Sequence, residues 1–336
     1  MNADRDEQAT DRKARLRALL SALLIVGGFA LGIYYLIDST TSGGLISFSF
    51  LLLLPVALAA LICLLADLPG HQPWSYYAKV ILLFSALLVG VSVLVLREGV
   101  ICILMLLPLW MPAMFLGAWI VHRLRRRPVE ERKTYCAAFV TLPLAAMLIE
   151  PMIPLPIDEA EVSRSAVIAA SPEELWPLLE GINRVAPGEG RWNLSQDLIG
   201  VPRPLGARLV GQGLGAVRLA RWEHGIAFRE TITEWRPGRA IGWEFHFDNF
   251  RGWDMTDRHL LPDSPHFKVA SGGYVLEPLG PRRTRVTLTT RYRMRTPVNA
   301  YAEWWGELFL GDLHDNLLAL VEQRAANARQ AQRVIG

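Results

Sequence analysis

Four stretches of this chain carry no charge over the length of a bilayer crossing, and nothing else in the sequence limits the fold as strongly. Residues 18–37, 45–66, 80–96 and 99–121 run for 20, 22, 17 and 23 positions without Asp, Glu, Lys or Arg. A helix rises about 1.5 Å per residue and the hydrocarbon core is about 30 Å thick, so about 20 such residues suffice to span it. A fifth run, 134–149, continues past Glu150 into Pro-Met-Ile-Pro-Leu-Pro, where no regular helix persists. It reads as a fifth span that exits in extended conformation; a re-entrant or interfacial segment is the alternative. The first run is too long for a cleaved signal peptide, and three more follow it.

Basic residues give these spans a direction. Arg12, Lys13, Arg15 and Arg17 precede the first run, and Arg123, Arg125, Arg126, Arg127, Arg132 and Lys133 follow the fourth. The 38–44 loop has no Lys or Arg, and the next two loops offer only Lys79 and Arg97. Both clusters fall on one side, which the positive-inside rule makes cytoplasmic. The expectation is a multi-pass protein of the plasma (inner) membrane. Five crossings put the C-terminal domain outside the cytoplasm; four would leave it inside. Trp74, Tyr76 and Tyr77 suit an interfacial belt. No Asp, Glu, Lys, Arg or His sits mid-span, which favours an anchor over a transporter. Pro55, Pro108 and Pro112 read as tolerated kinks.

The rest of the chain has a different composition. Residues 157–336 hold 22 Lys+Arg and 22 Asp+Glu, against 13 and 10 in residues 1–156. A mean hydropathy of +0.24 over 336 residues is therefore the average of two unlike halves. The neutral second half excludes a phosphate-backbone binder, so no nucleic-acid partner is expected. Cys63, Cys102 and Cys136 all lie in the first half, so the second has neither disulfides nor Cys-based zinc sites. The expected organisation is a tail at 1–17, a membrane region at 18–150 with helices at 18–37, 45–66, 80–96, 99–121 and 134–150, a Pro-rich linker at 151–160, a folded domain at 161–329 and a tail at 330–336.

Periodicity describes that domain. Residues 161–169 read as a strand, followed by the capping box Ser171-Pro172-Glu173-Glu174 and a short helix that Pro177 kinks or ends. A second helix or a loop reaches about Gly190. Strands at 207–211 and 216–222 pair across Gly-Gln-Gly-Leu-Gly, 227–235 and 240–248 across Arg-Pro-Gly-Arg, and 273–278 and 284–295 across Leu-Gly-Pro-Arg-Arg. In the last strand Val286, Leu288, Thr290, Tyr292 and Met294 share one face. Arg285, Arg291, Arg293 and Arg295 share the other, as a solvated stripe or a contact for anionic headgroups. Asn299 is the expected N-cap of a helix to about Arg329, with Trp305, Phe309, Leu313, Leu317 and Leu320 as its apolar stripe.

The segments SRSAVIAASPEELWPLL (163–179) and FRETITEWRPGRAIGWEF (228–245), with the final helix, resemble the START-like helix-grip superfamily, also called SRPBCC. Its members include polyketide cyclase-like, Bet v 1-like and lipid-transfer proteins. The elements Ile199-Gly200-Val201-Pro202-Arg203-Pro204 and Glu230-Thr231-Ile232 are similar to bacterial membrane-anchored members. The resemblance implies an N-terminal all-α transmembrane bundle joined to an α+β helix-grip domain, in which a curved antiparallel sheet holds a long C-terminal helix over an apolar cavity. It implies no common catalytic residue.

Candidate ligand-binding residues are Trp192, Arg203, Trp222, Phe228, Glu230, Trp243, Phe245, Tyr274, Tyr292, Trp305 and Phe309, lining a cavity or forming an ordinary core. Glu230 shares strand parity with Phe228 and Ile232, so it either faces the cavity as an acid/base group or pairs with Arg229 or another arginine. His246, Asp248, Asp254, Asp257, His259, Asp263 and His266 crowd one segment without metal-ligand spacing, so a polar loop is preferred and no metal is expected. Gly211-Gln212-Gly213-Leu214-Gly215 lacks a P-loop ending and reads as a hairpin. No cofactor is expected. The leading expectation is a membrane-anchored binding protein for a hydrophobic small molecule or lipid. The alternatives are a cyclase- or hydratase-like enzyme acting on an aromatic or polyketide substrate through Glu230, and a partner-binding envelope domain whose partner the sequence does not name.

Overall fold

The computed structural model describes residues 2–40, 46–96, 99–125, 127–254 and 260–335. Residues 41–44 of the first loop, Arg97, Arg126, Asp257, His259 and the side chains of Arg12, Arg132 and Lys133 lie outside the described residues. The chain divides into two compact units, Met1–Leu155 and Pro156–Gly336.

The first unit is helical: α1 (Asn2–Thr40), α2 (Leu54–Ala66), α3 (Trp74–Val91), α4 (Val100–Leu124) and α5 (Val129–Ile149). Among the described residues, five segments are long and apolar enough to cross a membrane: Lys13–Leu36, Ser49–Ala66, Trp74–Leu96, Val100–Leu124 and Thr134–Met152. The third begins at Trp74 because extended Pro73 starts the helix there, six residues before the expected boundary. Helix α2 is the buried one, with Leu58, Ala59, Ala60, Ile62 and Cys63 sealed from solvent. It approaches α4 so closely that a Cβ on Gly117 would stand 2.2 Å from the Val56 carbonyl oxygen. Small residues permit that backbone approach, as they do wherever helices pack in lipid. Asp67 ends α2 by accepting the backbone N–H groups of Gly70, His71 and Gln72 at 3.1, 3.2 and 2.9 Å and the Tyr77 hydroxyl at 2.8 Å. Beyond α5 a 3₁₀ turn at Glu150–Met152 releases the chain into extended conformation, as its prolines require.

The second unit is one seven-stranded antiparallel sheet with two helices. Its strands are β1 (Asp158–Ile168), β2 (Pro204–Val210), β3 (Val217–Trp222), β4 (Ala227–Arg236), β5 (Ala240–His246), β6 (Phe267–Gly280) and β7 (Arg283–Met294), in the order β1-β7-β6-β5-β4-β3-β2. The alternation in β7 is as read: Val286, Leu288, Thr290, Tyr292 and Met294 are buried, and Arg285, Arg291 and Arg293 are exposed. Helix α6 (Pro172–Glu180) starts at the capping box, with both reciprocal bonds formed, and runs through Pro177. Residues 183–192 form a loop rather than a second helix, and an unforeseen π-helical turn follows at Leu194–Ile199. Gly211, Gly213 and Gly215 take φ of +84°, +81° and +78°, a conformation open to glycine, and turn the chain from β2 into β3.

Helix α7 (Asn299–Ile335) lies against the inner face, and here two expectations are corrected. Asn299 is not a cap. Its side-chain oxygen accepts from the Thr296 N–H at 2.7 Å, while its Nδ2 donates to Pro156 O at 3.0 Å and Asp158 Oδ2 at 2.8 Å, which ties the start of β1 to the start of α7. The expected stripe is corrected in part: Trp305 and Leu320 are buried and Leu317 packs on the core, but the residues set against the strands are mostly smaller. Ala302, Gly306, His314, Leu318, Val321 and Ala325 face the strands. A Cβ on Gly306 would lie 2.3 Å from the Tyr292 hydroxyl oxygen, and one on Gly311 2.5 Å from Arg164 Nη2. Close approach selects small residues here, so apolar bulk alone misreads the face.

Candidate functional site

A packed core lies between the sheet and the helix. Ile168, Leu175, Trp176, Leu179, Trp243, Tyr274, Leu276, Val286 and Leu288 pack with Leu318, Val321 and Ala325 in one core. Trp243 lies flat on Gly272, where a Cβ would meet its indole at 2.9 Å, so glycine makes its seat. Rings continue from it: Tyr274 at 5.5 Å, Phe245 at 6.1 Å, then Phe228 against Phe245 at 5.9 Å and Trp222 against Phe228 at 5.7 Å between centroids.

Glu230 faces inward with Phe228 and Ile232, and all three are buried. Arg218 stands directly opposite it in the β3–β4 register, and Arg218 Nε donates to its carboxylate. The same guanidinium lies 4.1 Å above the Trp243 ring centre, and its Nη1 donates to the Leu179 carbonyl at 2.8 Å. A buried charge needs such a set of partners. Arg229 points the other way and holds Asp248 at 2.7 and 2.5 Å. Burial pushes the nearby Tyr274 phenol up to about 12, against a smaller downward pull from Arg218, so it is neutral near pH 7.

The open space is displaced to one end. A cleft of about 950 Å³ lies between the 183–192 loop, the ends of β2 and β3, the 223–227 turn and one stretch of α7. The loop is strapped across it at defined points. Val185 N–H donates to Leu205 O at 2.9 Å, joining it to β2. Gly190 N–H donates to Gln323 Oε1 at 2.9 Å, and Gln323 Nε2 returns a bond to Gly190 O at 3.0 Å. Arg191 N–H donates to Asn316 Oδ1 at 2.9 Å, and Arg324 Nη2 reaches Arg184 O at 2.6 Å and Glu189 Oε2 at 2.8 Å. Gly190 has φ +90°, and a Cβ there would fall 2.0 Å from Asn316 Oδ1, so only glycine fits. The adjoining π turn is fixed by Asp312, whose Oδ2 accepts the Ser195 N–H at 2.8 Å and hydroxyl at 2.6 Å.

Of the residues singled out from sequence, Trp192, Arg203 and Trp222 line this cleft. Trp192 is 68% exposed at its rim. Arg203 is held by Asp197 at 2.6 Å. Phe228, Glu230, Trp243, Phe245 and Tyr274 belong to the packed interior. Tyr292 is sealed beside Gly306. Trp305 and Phe309 stack at 5.3 Å in an aromatic run on α7 with Tyr301 and Trp304, away from the cleft lining. Sequence reasoning missed the strap, its anchors Asn316, Gln323 and Arg324, and Arg218. Asn316 had a visible signal: a polar residue set among the leucines of a helix, and buried. In the acidic and histidine-rich segment, Asp263 pairs with Lys268 at 3.0 Å and His266 Nδ1 lies 3.1 Å from the Arg295 carbonyl oxygen.

Residues 159–323 match the protein family described as polyketide cyclase / dehydrase and lipid transport. Solved structures similar to this chain include the Zhui aromatase/cyclase of Streptomyces sp. R1128, at 16% identity over 51% of this chain and 95% of that one, with a TM-score of 0.33. They also include truncated norcoclaurine synthase of Thalictrum flavum, at 13% identity over 50% and 97%, TM-score 0.31. A protein of Thermus thermophilus follows at 19% identity over 50% and 99%, TM-score 0.31. No curated protein matches the chain.

Proposed function

We propose that the polyketide cyclase-like helix-grip domain of residues 159–323 binds a hydrophobic small molecule or lipid, in a chain anchored in the inner membrane with this domain outside the cytoplasm. The observation that carries the reading is the strapped cleft of about 950 Å³. Sites for small organic ligands run to roughly 300–1,000 Å³ and combine apolar walls with a few fixed polar groups. Trp192, Trp222, Leu205, Ile226 and Leu320 supply the apolar part, and the tied-down strap supplies the fixed backbone. The family's description, which includes lipid transport, agrees with a guest of this kind. Five apolar segments supply the anchor, and the basic residues before the first and after the fourth favour the orientation. Tethering raises the effective concentration of the site near a membrane-borne guest.

Binding rather than catalysis is the better reading, because the inward carboxylate Glu230 is already engaged by Arg218 in a packed core. Native mass spectrometry of the purified full chain is the test. A co-purifying apolar molecule that is lost on Ala186→Trp, a substitution at an exposed cleft wall, is the expected result. Retention unaffected by a filled cleft would sink the assignment of the guest to this site.

A further inference from the structure

We infer that the guest is an amphiphile whose head is an anionic oxygen group, a carboxylate or a phosphate; the inference rests on the cleft being the binding site. Four arginines line the cleft: Arg184, Arg191, Arg203 and Arg221. Arg203 is spent on Asp197 at 2.6 Å. The other three are exposed, and among the described residues no carboxylate or carbonyl engages their guanidinium groups.

The acids of the same wall do not offset them. Burial by itself would raise the Glu189 carboxyl, but it accepts the Ala186 N–H at 2.7 Å and Arg324 at 2.8 Å. Together these bonds outweigh the burial and keep it ionised as the partner of a cation outside the cleft lining. Asp197 is matched by Arg203. Glu223 is left, and its Oε2 accepts the backbone N–H of Arg203 at 2.9 Å. Three uncommitted cations face one carboxylate, in a domain whose 157–336 sequence is neutral overall, with 22 basic and 22 acidic residues.

An exposed arginine is worth little as an isolated charge in water. Several lining one cleft that also has apolar surface are different, because a single oxyanion can accept from more than one fork while its chain lies on that surface. Arg184 and Arg191 sit on the strap, whose backbone α7 fixes through Asn316, Gln323 and Arg324, so their main-chain positions are set before a guest arrives. Trp192 and Trp222 give the cleft apolar surface as well. A neutral apolar guest leaves the arginines unused, and a cationic one is repelled by them.

The experiment uses the full chain in detergent and four probes of equal chain length: tetradecanoate, tetradecyl phosphate, tetradecanol and tetradecyltrimethylammonium, read by native mass spectrometry. Both anions are expected to bind at least about tenfold more tightly than the alcohol, and the ammonium probe most weakly. The triple variant Arg184→Gln, Arg191→Gln, Arg221→Gln is expected to abolish the preference, so that it binds both anions and the alcohol alike. Equal binding of all four probes, abolished by Ala186→Trp or Ala227→Trp, overturns the anionic head and leaves the binding site standing. Binding of no probe, or binding indifferent to both filled clefts, overturns the site itself. Displacement by inorganic phosphate at the concentration at which tetradecyl phosphate binds overturns the amphiphile in favour of a simple anion.

Discussion

Arg218 and Glu230 are directly opposed on neighbouring strands, buried together, and roofed by an indole. Removing one partner strands a charge in the core. Glu230→Ala should cost about 3–5 kcal/mol, and Arg218→Met with Glu230→Leu should recover most of it, by urea unfolding of a 156–336 fragment. A loss below about 1 kcal/mol for Glu230→Ala would show that the guanidinium reaches water. His314 makes a second residue-scale prediction. It is buried on α7, with Nε2 at 2.8 Å from Thr290 Oγ1, and burial, helped by Arg164, holds its pKa down to about 4. The unfolded value is about 6.5. As pH falls from about 6.5 to about 4 the unfolded chain takes up a proton that the folded one refuses, so stability drops by up to about 1.4 kcal/mol per pH unit. His314→Gln keeps a hydrogen-bonding group for Thr290 and should flatten that slope; an unchanged slope would assign the proton elsewhere.

The strap at 183–192 and helix α7 meet at Gly190, and the contact is specific enough to break with one methyl group. Gly190→Ala needs φ +90° in an L residue and a Cβ 2.0 Å from Asn316 Oδ1. It should cost about 1–3 kcal/mol and speed hydrogen exchange at the amides of residues 190 and 191, which now donate to Gln323 and Asn316. Exchange rates equal to the parent would mean that the strap is not held there.

At this scale the sequence was readable where a period exists. The β7 alternation follows from a sheet buried on one face, and the capping box gave the start of α6. On α7 the same method found the buried Trp305 and Leu320 but not Gly306 and Gly311, which lie close to Tyr292 and Arg164, because bulk marks burial and says nothing of close approach. The strap has no period to read, and the Arg218–Glu230 pairing depends on a cross-strand register that neither strand reveals alone. Hence Trp192, Arg203 and Trp222 were found for the cleft and its anchors were not.

For the whole molecule, the two units differ in what water does for them. The apolar segments of the first satisfy their backbones internally, and the second carries a balanced charge of 22 basic and 22 acidic residues. The proposed topology, with both basic clusters on the cytoplasmic side of five crossings, predicts that a reporter active only in the cytoplasm and fused after Gly336 is silent; activity there would mean that Thr134–Met152 does not cross.

The seat of Trp243 on Gly272 carries a kinetic consequence. With that volume already taken by side chains, the guest proposed for the cleft displaces none of the packed core. Under the proposed binding, exchange needs no opening of that core, which suits a courier that loads and unloads often better than a vault that keeps what it takes.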